Sequence, residues 1–269
     1  MAPKQGLAAQ TIIYLLRNDL RLHDNECFHY VSTLAEKCQK SQTPLRLVPL
    51  YCFQPEHYVH GMLKNKSNFI SFYYSENYFA GTYHFGFSRV GQPRARFILE
   101  SVKDLKSRLQ SKGSDLVIRS CFSNKSTSSP ASALQSIIEQ LGPETKNCTL
   151  IFHQEATWEE LNDENSLKDV CKKYGIHVKS FWGTSLYHRD DLPFRGSSLA
   201  PNVPDTYTQF RKAVETQSKV RPAFPTPNAL PPLPGNITSD ELPNEAPEDH
   251  IAHSGKKFRE IIFGFVNEN

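Results

Sequence analysis

Short apolar runs and longer amphipathic stretches alternate along most of this chain. Thr11-Ile12-Ile13-Tyr14-Leu15-Leu16 is β-branched, aliphatic or aromatic, and it breaks off into charge at Arg17. A run of that length and kind predicts a strand buried on both faces, as in parallel sheets covered by helices. From Glu26 to Lys40, Phe28, Val31, Leu34, Ala35 and Cys38 recur at helical spacing with charges on the opposite face. Arg46 to Phe53 predicts a second strand, although Pro49 lacks the N–H that a central strand needs. A helix from Pro93 to Lys112 would bury Phe97, Leu99, Val102, Leu105 and Leu109 and stop at Gly113. Leu116 to Arg119 is a third strand, Ala131 to Leu141 a helix, Thr149 to His153 a fourth strand, Glu159 to Tyr174 a helix, and His177 to Phe181 a fifth strand.

This order predicts an α/β fold: a Rossmann-like, doubly wound, five-stranded parallel sheet over residues 11–193, after a flexible N-terminus at 1–10. Two stretches break the rhythm. Residues 61–79, around Asn68-Phe69-Ile70-Ser71-Phe72-Tyr73-Tyr74, are rich in aromatics and poor in helical charge and turn signals, and so predict neither a helix nor a clean strand. Exposed, such a stretch is an aggregation liability. Ala223 to Asp249 carries Pro225, Pro227, Pro231, Pro232, Pro234, Pro243 and Pro247, which forbid regular helix or strand over most of its length. A linker, or a chain wrapped over the surface, is expected there, opening an extended Pro-rich C-terminal segment and divergent tail over 223–269. Between sheet and tail, 194–222 begins a connector with a helix from Asp205 to Val220, capped by Asp205.

Composition narrows the function classes. Hydrophobic content of 38% and charged content of 22% suit a soluble globular protein, and a formal charge of +3 is too small to select nucleic acid as partner. No apolar run approaches the ~20 residues needed to cross a bilayer. Met1 to Gln10 also lacks the apolar core of a secretory signal, so an intracellular, soluble protein with no membrane partner is expected. Six cysteines (Cys27, Cys38, Cys52, Cys121, Cys148 and Cys171) without C-x-x-C spacing predict buried free thiols. His23, His153 and His188 lack i, i+4 partners, so no metal is expected. Gly-rich phosphate loops and a nucleophile elbow are missing, which leaves kinase, nicotinamide and serine-hydrolase chemistry without an anchor and no residue assigned as catalytic. The oligomeric state is not encoded in any of these patterns.

In a doubly wound sheet, ligands bind just beyond the carboxyl ends of the strands. After strand 1 that places Arg17, Asp19, Arg21, His23, Asp24 and Asn25 at the candidate site. The same residues have a structural role open to them: Arg17 and Arg21 pairing with Asp19 and Asp24, and Asp24 or Asn25 capping the next helix.

Arg17-Asn18-Asp19-Leu20-Arg21-Leu22-His23-Asp24-Asn25 resembles the R-x-D-L-R-x-x-D-N signature that opens the N-terminal antenna domain of the photolyase/cryptochrome family. Gly81 to Phe87, Phe97 to Leu105, Phe181 to Phe194 and Pro204 to Lys212 follow in the same order and resemble its DASH cryptochromes. The resemblance runs from about Thr11 to Pro227 and fails towards the C-terminus, and relative to its pattern residues 61–79 look like an atypical insert, a translated splice difference or else an unusual surface loop. It implies a truncated or splice-variant chain that holds the antenna domain and lacks the helical FAD-binding domain. Full-length members are thereby implied to be blue-light flavoproteins that repair cyclobutane pyrimidine dimers in single-stranded DNA with light-excited reduced FAD. A chain without the flavin domain is then expected not to photorepair alone. The alternative is a non-catalytic α/β module that binds a nucleotide or a partner.

A folate antenna, methenyltetrahydrofolate, is also implied, held where the two domains meet. A carboxylate suits its ring nitrogens and exocyclic amine. His153-Gln154-Glu155-Ala156-Thr157-Trp158-Glu159-Glu160 is similar to the family block lining that pocket, which makes Glu155, with Gln154 and Thr157, candidate cofactor-binding residues. Thr157 and Glu160 equally form a capping box. Glu100 is a second candidate carboxylate, brought near buried surface in the run Phe97-Ile98-Leu99-Glu100, with an ion pair to Arg94 or Arg96 as its structural alternative. Trp158 and Trp182 invite an electron relay, but the family's relay belongs to the helical domain, and Trp182 is more simply an apolar cover for the sheet edge. Arg189, Arg195, Arg211, Lys212, Lys219 and Arg221, with Tyr187, Tyr207 and Phe210, offer phosphate contacts and stacking to DNA. Asp190, Asp191, Asp205 and Glu215 nearly cancel that charge, so no DNA-binding residue is assigned.

Overall fold

The computed structural model describes residues 9–53, 92–120, 129–194 and 203–242. The aromatic insert at 61–79, Gly81 to Phe87, Cys121, Arg195, residues 1–8 and the tail beyond 242 lie outside the described residues. Strands β1 (Gln10–Leu16), β2 (Leu45–Phe53), β3 (Val117–Ser120), β4 (Cys148–His153) and β5 (His177–Phe181) form one parallel sheet in the order β3-β2-β1-β4-β5. Helices α1 (Glu26–Lys40), α2 (Gln92–Ser111), α3 (Pro130–Leu141) and α4 (Trp158–Tyr174) alternate with them, and α5 (Tyr207–Gln217) follows β5. The doubly wound α/β architecture expected from the sequence is therefore the one observed.

Strand alternation sorts the core into two faces. Ile12, Tyr14 and Leu16 of β1 meet Phe28 and Val31 of α1 and Leu99, Val102 and Leu105 of α2. Ile13 and Leu15 point the other way, to Leu134, Ile137 and Ile138 of α3 and Leu167 and Cys171 of α4. Asn25 caps α1, its Oδ1 accepting the Phe28 N–H at 3.0 Å. Asp24 does not cap; it takes a positive φ of 52° and forms the turn. Gly175, at φ 68°, ends α4 in the left-handed conformation that glycine adopts without strain. The cysteines Cys27, Cys38, Cys52, Cys148 and Cys171 are buried free thiols.

Three sequence expectations need correcting. Phe97 is not on the buried side of α2: it is 69% exposed, while Leu99 is 1% exposed. Helix α5 is shorter than Asp205 to Val220, and Thr206 rather than Asp205 is its N-cap residue. Only Val214 of α5 is buried, so little packing extends the helix at either end. Pro49, third, is no blemish. The Leu47 N–H points away from β1 and donates to Pro232 O at 3.1 Å. Pro49, two residues on, faces the same outer side, just before β3 joins at Leu50–Val117, so its missing N–H costs no bond to β1.

The Pro-rich stretch is a packed strap. Leu230 joins the α1/α2 face of the core and Ile237 the α3/α4 face, so residues 230–237 pass around the sheet edge from one face to the other. On the way the strap meets Lys112 O through the Leu230 N–H at 2.9 Å and Ile118 O through the Asp240 N–H at 3.0 Å. Of the two forms expected, linker or surface wrap, the wrap is the one observed for residues 223–242.

Candidate functional site

The carboxyl ends of β1, β2 and β4 and the chain after β5 converge with α2 around an open cavity of about 980 Å³. Its walls include Asn18 and Asp19 from the β1–α1 turn, Tyr51 of β2, Phe97 of α2, Glu155 after β4 and Gly183 after β5. It lies beside the switch point of the sheet: the chain leaves β1 for β2 on one side, and only after β3 crosses back to β4 on the other, which is where such folds leave room for ligands.

Most of the polar signature holds this frame together. Asp19 accepts the Arg21 backbone N–H and binds its guanidinium with both oxygens, each at 3.0 Å. Asp24 accepts the Phe224 N–H at 3.2 Å and donates its own N–H to Phe224 O at 2.8 Å, fastening the start of the strap to the β1–α1 turn. Arg17 turns inward to Glu164 of α4 at 3.3 Å, with side chains 12% and 3% exposed. Glu164 also accepts the Glu155 N–H at 3.0 Å. Asn25 reaches the Tyr14 hydroxyl at 3.0 Å as well as capping α1.

Glu155 is half-buried at the rim of this frame. Its Oε1 accepts from Asn18 Nδ2 at 3.1 Å, and the same nitrogen reaches Glu160 Oε1 at 3.2 Å. Burial pushes the Glu155 carboxyl above its ordinary range, the Asn18 bond and Arg17 pull it back, and Glu160 and Glu164 add to the rise. Glu100 also lines the cavity but is exposed and tied to Arg96 at 2.9 Å. The expectation that it nears buried surface is thus corrected: it lies one helical step, 100° in an ideal helix, from Leu99. Gln154 donates to Ser180 Oγ at 2.8 Å, and Thr157 donates to Glu160 Oε2 at 2.7 Å in the expected capping box. Neither is among the residues lining the cavity.

Beneath the floor, His153 Nδ1 lies 3.4 Å from the Tyr14 hydroxyl, and its buried Nε2 has no hydrogen-bond partner among the described residues. Burial lowers the imidazole pKa, so the ring stays neutral there. A Cβ on Gly183 would sit 2.9 Å from that Nε2. Gly183→Ala is therefore expected to destabilise the chain by about 1–3 kcal/mol, measured by urea denaturation, because the added methyl group must displace a buried ring that already lies against the Tyr14 hydroxyl.

Among the wall residues that the sequence does not mark, Asn18 occupies the unspecified position of the R-x-D signature, Phe97 reads as a core residue, and Gly183 has no local signal of its own.

The DNA photolyase family model matches residues 12–229. The chain belongs to this family. It is 41% identical to cryptochrome DASH of Xenopus laevis and 40% identical to that of Danio rerio, each over 236 residues. The match takes in 88% of this chain and 37% of either relative, so the chain spans well under half their length. Its fold matches the crystal structure of a Synechocystis cryptochrome with a TM-score of 0.63 at 30% identity, over 91% of this chain and 41% of that one.

Other features set against this family background are structural. Trp158 is 76% exposed. Trp182 donates Nε1–H to Ser185 Oγ at 2.7 Å and carries the Arg189 guanidinium 5.1 Å over its ring. Arg221 makes a two-pronged pair with Asp191 at 2.6 and 2.9 Å, and Arg211 pairs with Glu215 at 3.9 Å. The described part of the basic stretch therefore carries its own counter-charges. No group of metal-binding side chains occurs among the described residues, and no described helix is long and apolar enough to cross a membrane.

Proposed function

We propose that this chain is the light-collecting α/β half of a cryptochrome DASH-type protein, and that its cavity holds a methenyltetrahydrofolate antenna through Glu155. The observation carrying this reading is a half-buried carboxylate at the carboxyl end of β4 whose Oε2 has no hydrogen-bond partner among the described residues. A 2-amino-4-oxo pterin offers adjacent N–H donors, and a carboxylate is the acceptor that pairs with them. The exposed Phe97 ring supplies apolar surface on the facing wall for a flat heterocycle. Bound, the folate absorbs light and passes the excitation on. Gln154 and Thr157 support the site by fixing the turn that carries Glu155, and Glu100 contributes charge at the rim.

FAD, and the repair of pyrimidine dimers in DNA that it drives, are proposed only for an assembly that supplies the remaining length of the relatives.

Titrating the purified chain with methenyltetrahydrofolate and following absorption and fluorescence tests the reading. Wild type should bind, and Glu155→Gln should bind about tenfold more weakly, since an amide keeps the size but loses the charge-assisted bonds. Absence of uptake, or equal binding by the variant, would refute it. Saturable binding of a nucleotide in place of folate would favour the non-catalytic binding module.

A further inference from the structure

A glutamate side chain has three torsions, and Glu155 serves as a ligand only if something orders it. The group that does so stands on another element. Asn18, in the turn after β1, donates from one nitrogen to Glu155 Oε1 at 3.1 Å and to Glu160 Oε1 at 3.2 Å, residues 137 and 142 positions away in sequence. Glu160 is itself fixed, because its Oε2 accepts both the Thr157 hydroxyl at 2.7 Å and the Thr157 N–H at 3.2 Å. The amide therefore ties a free-standing carboxylate to an anchored one.

We infer that Asn18 is a positioning residue of this site: it holds Glu155 Oε1 against Glu160 and so presents Oε2 to the cavity, for a ligand with adjacent N–H donors. The inference rests on the folate reading above and deepens it. Asn18 does not itself need to touch the ligand.

Burial opposes the charge on Glu155 most, and the Asn18 bond is the main interaction acting against burial. Glu160 and Glu164 of α4 oppose its ionisation and Arg17 favours it. Across the cavity, α2 carries Arg94, Glu100, Asp104 and Arg108, with Asp104 paired to Arg108 at 3.6 Å, and the β1–α1 turn carries Asp19 bound to Arg21. Losing the Asn18 bond raises the Glu155 pKa further, since that bond favours the charged form. Ligand binding needs the ionised carboxylate and is lost as pH falls through its pKa. A raised pKa moves that loss to higher pH.

Two measurements on the whole chain test this. The first is an NMR titration of the Glu155 carboxyl without pigment, and the second is methenyltetrahydrofolate binding across pH. Asn18→Ala should raise the Glu155 midpoint, weaken folate binding about tenfold and shift the pH of half-loss upward. On a Glu155→Gln background, the same substitution should change binding less than twofold. If Asn18→Ala leaves the midpoint and pH profile unchanged while Glu155→Gln still weakens binding, the positioning role falls and the folate reading stands. A wild-type chain that takes up no folate overturns both. Circular dichroism of each variant separates these results from misfolding.

Discussion

Replacing Glu164 by leucine is expected to remove about 3–5 kcal/mol of stability, because it strands a buried cation. Glu164 is 2% exposed. It receives Arg17 Nη1 at 3.3 Å and the Glu155 N–H at 3.0 Å, with Lys168 Nζ at 3.8 Å. Leucine matches it roughly in volume, so no large cavity forms and the loss is electrostatic in origin. Among the described residues, Arg17 would keep the Glu160 carbonyl alone, at 3.2 Å, for a side chain that is 12% exposed. Lys168, half-exposed, can turn to water and adds little. Urea denaturation followed by circular dichroism measures the effect as a shift in midpoint with an unchanged slope. Pairing the change with Arg17→Met should recover most of the loss, since an apolar pair of similar shape removes the uncompensated charge. A single-variant loss below about 1 kcal/mol would show that Arg17 finds another partner, and would weaken the case that this pair locks β1 to α4.

The elements that were legible in the sequence are those whose ends carry their own chemistry. α1 runs over Glu26–Lys40 and β5 over His177–Phe181, both as expected, because Asn25 starts the one and the turn after Gly175 leads into the other. Errors arose where a local pattern was asked to carry three-dimensional information. Phe97 and Leu99 cannot share a helix face, since two residues turn an ideal α-helix by 200°, and the structure exposes the one and buries the other. Of the site, the Asp19–Arg21 clamp is a contact two residues long and was readable as a turn. Asn18 with Glu155, and Gly183 against His153, are contacts between segments at the strand ends that only the closed sheet brings together. Proline density in 223–242 excluded helix and strand but said nothing of where Leu230 and Ile237 would go.

Those two residues carry the other large expected effect. Leu230→Ala and Ile237→Ala should each cost about 2–5 kcal/mol, as for large-to-small changes in a core. A linker lying loosely on the surface would show about 0.5 kcal/mol or less. Leu230 is 6% exposed and Ile237 9%, and they belong to separate hydrophobic clusters on opposite faces of the sheet. With no shared neighbours their losses should add to within about 0.5 kcal/mol, which a double variant in urea denaturation would check. Their sum then takes up most of the 5–15 kcal/mol that holds an ordinary domain together. The chemistry of the strap explains why it is built from prolines. The amino half of β2 has no β3 beside it, since β3 joins only from Leu50, and an open strand edge invites pairing with another chain. Pro232 accepts the Leu47 N–H through its carbonyl and has no N–H to offer outward. It satisfies the edge without creating a new one. Non-additive losses, with each single change already unfolding the chain, would mean instead that the strap folds and releases as one unit rather than through two independent anchors.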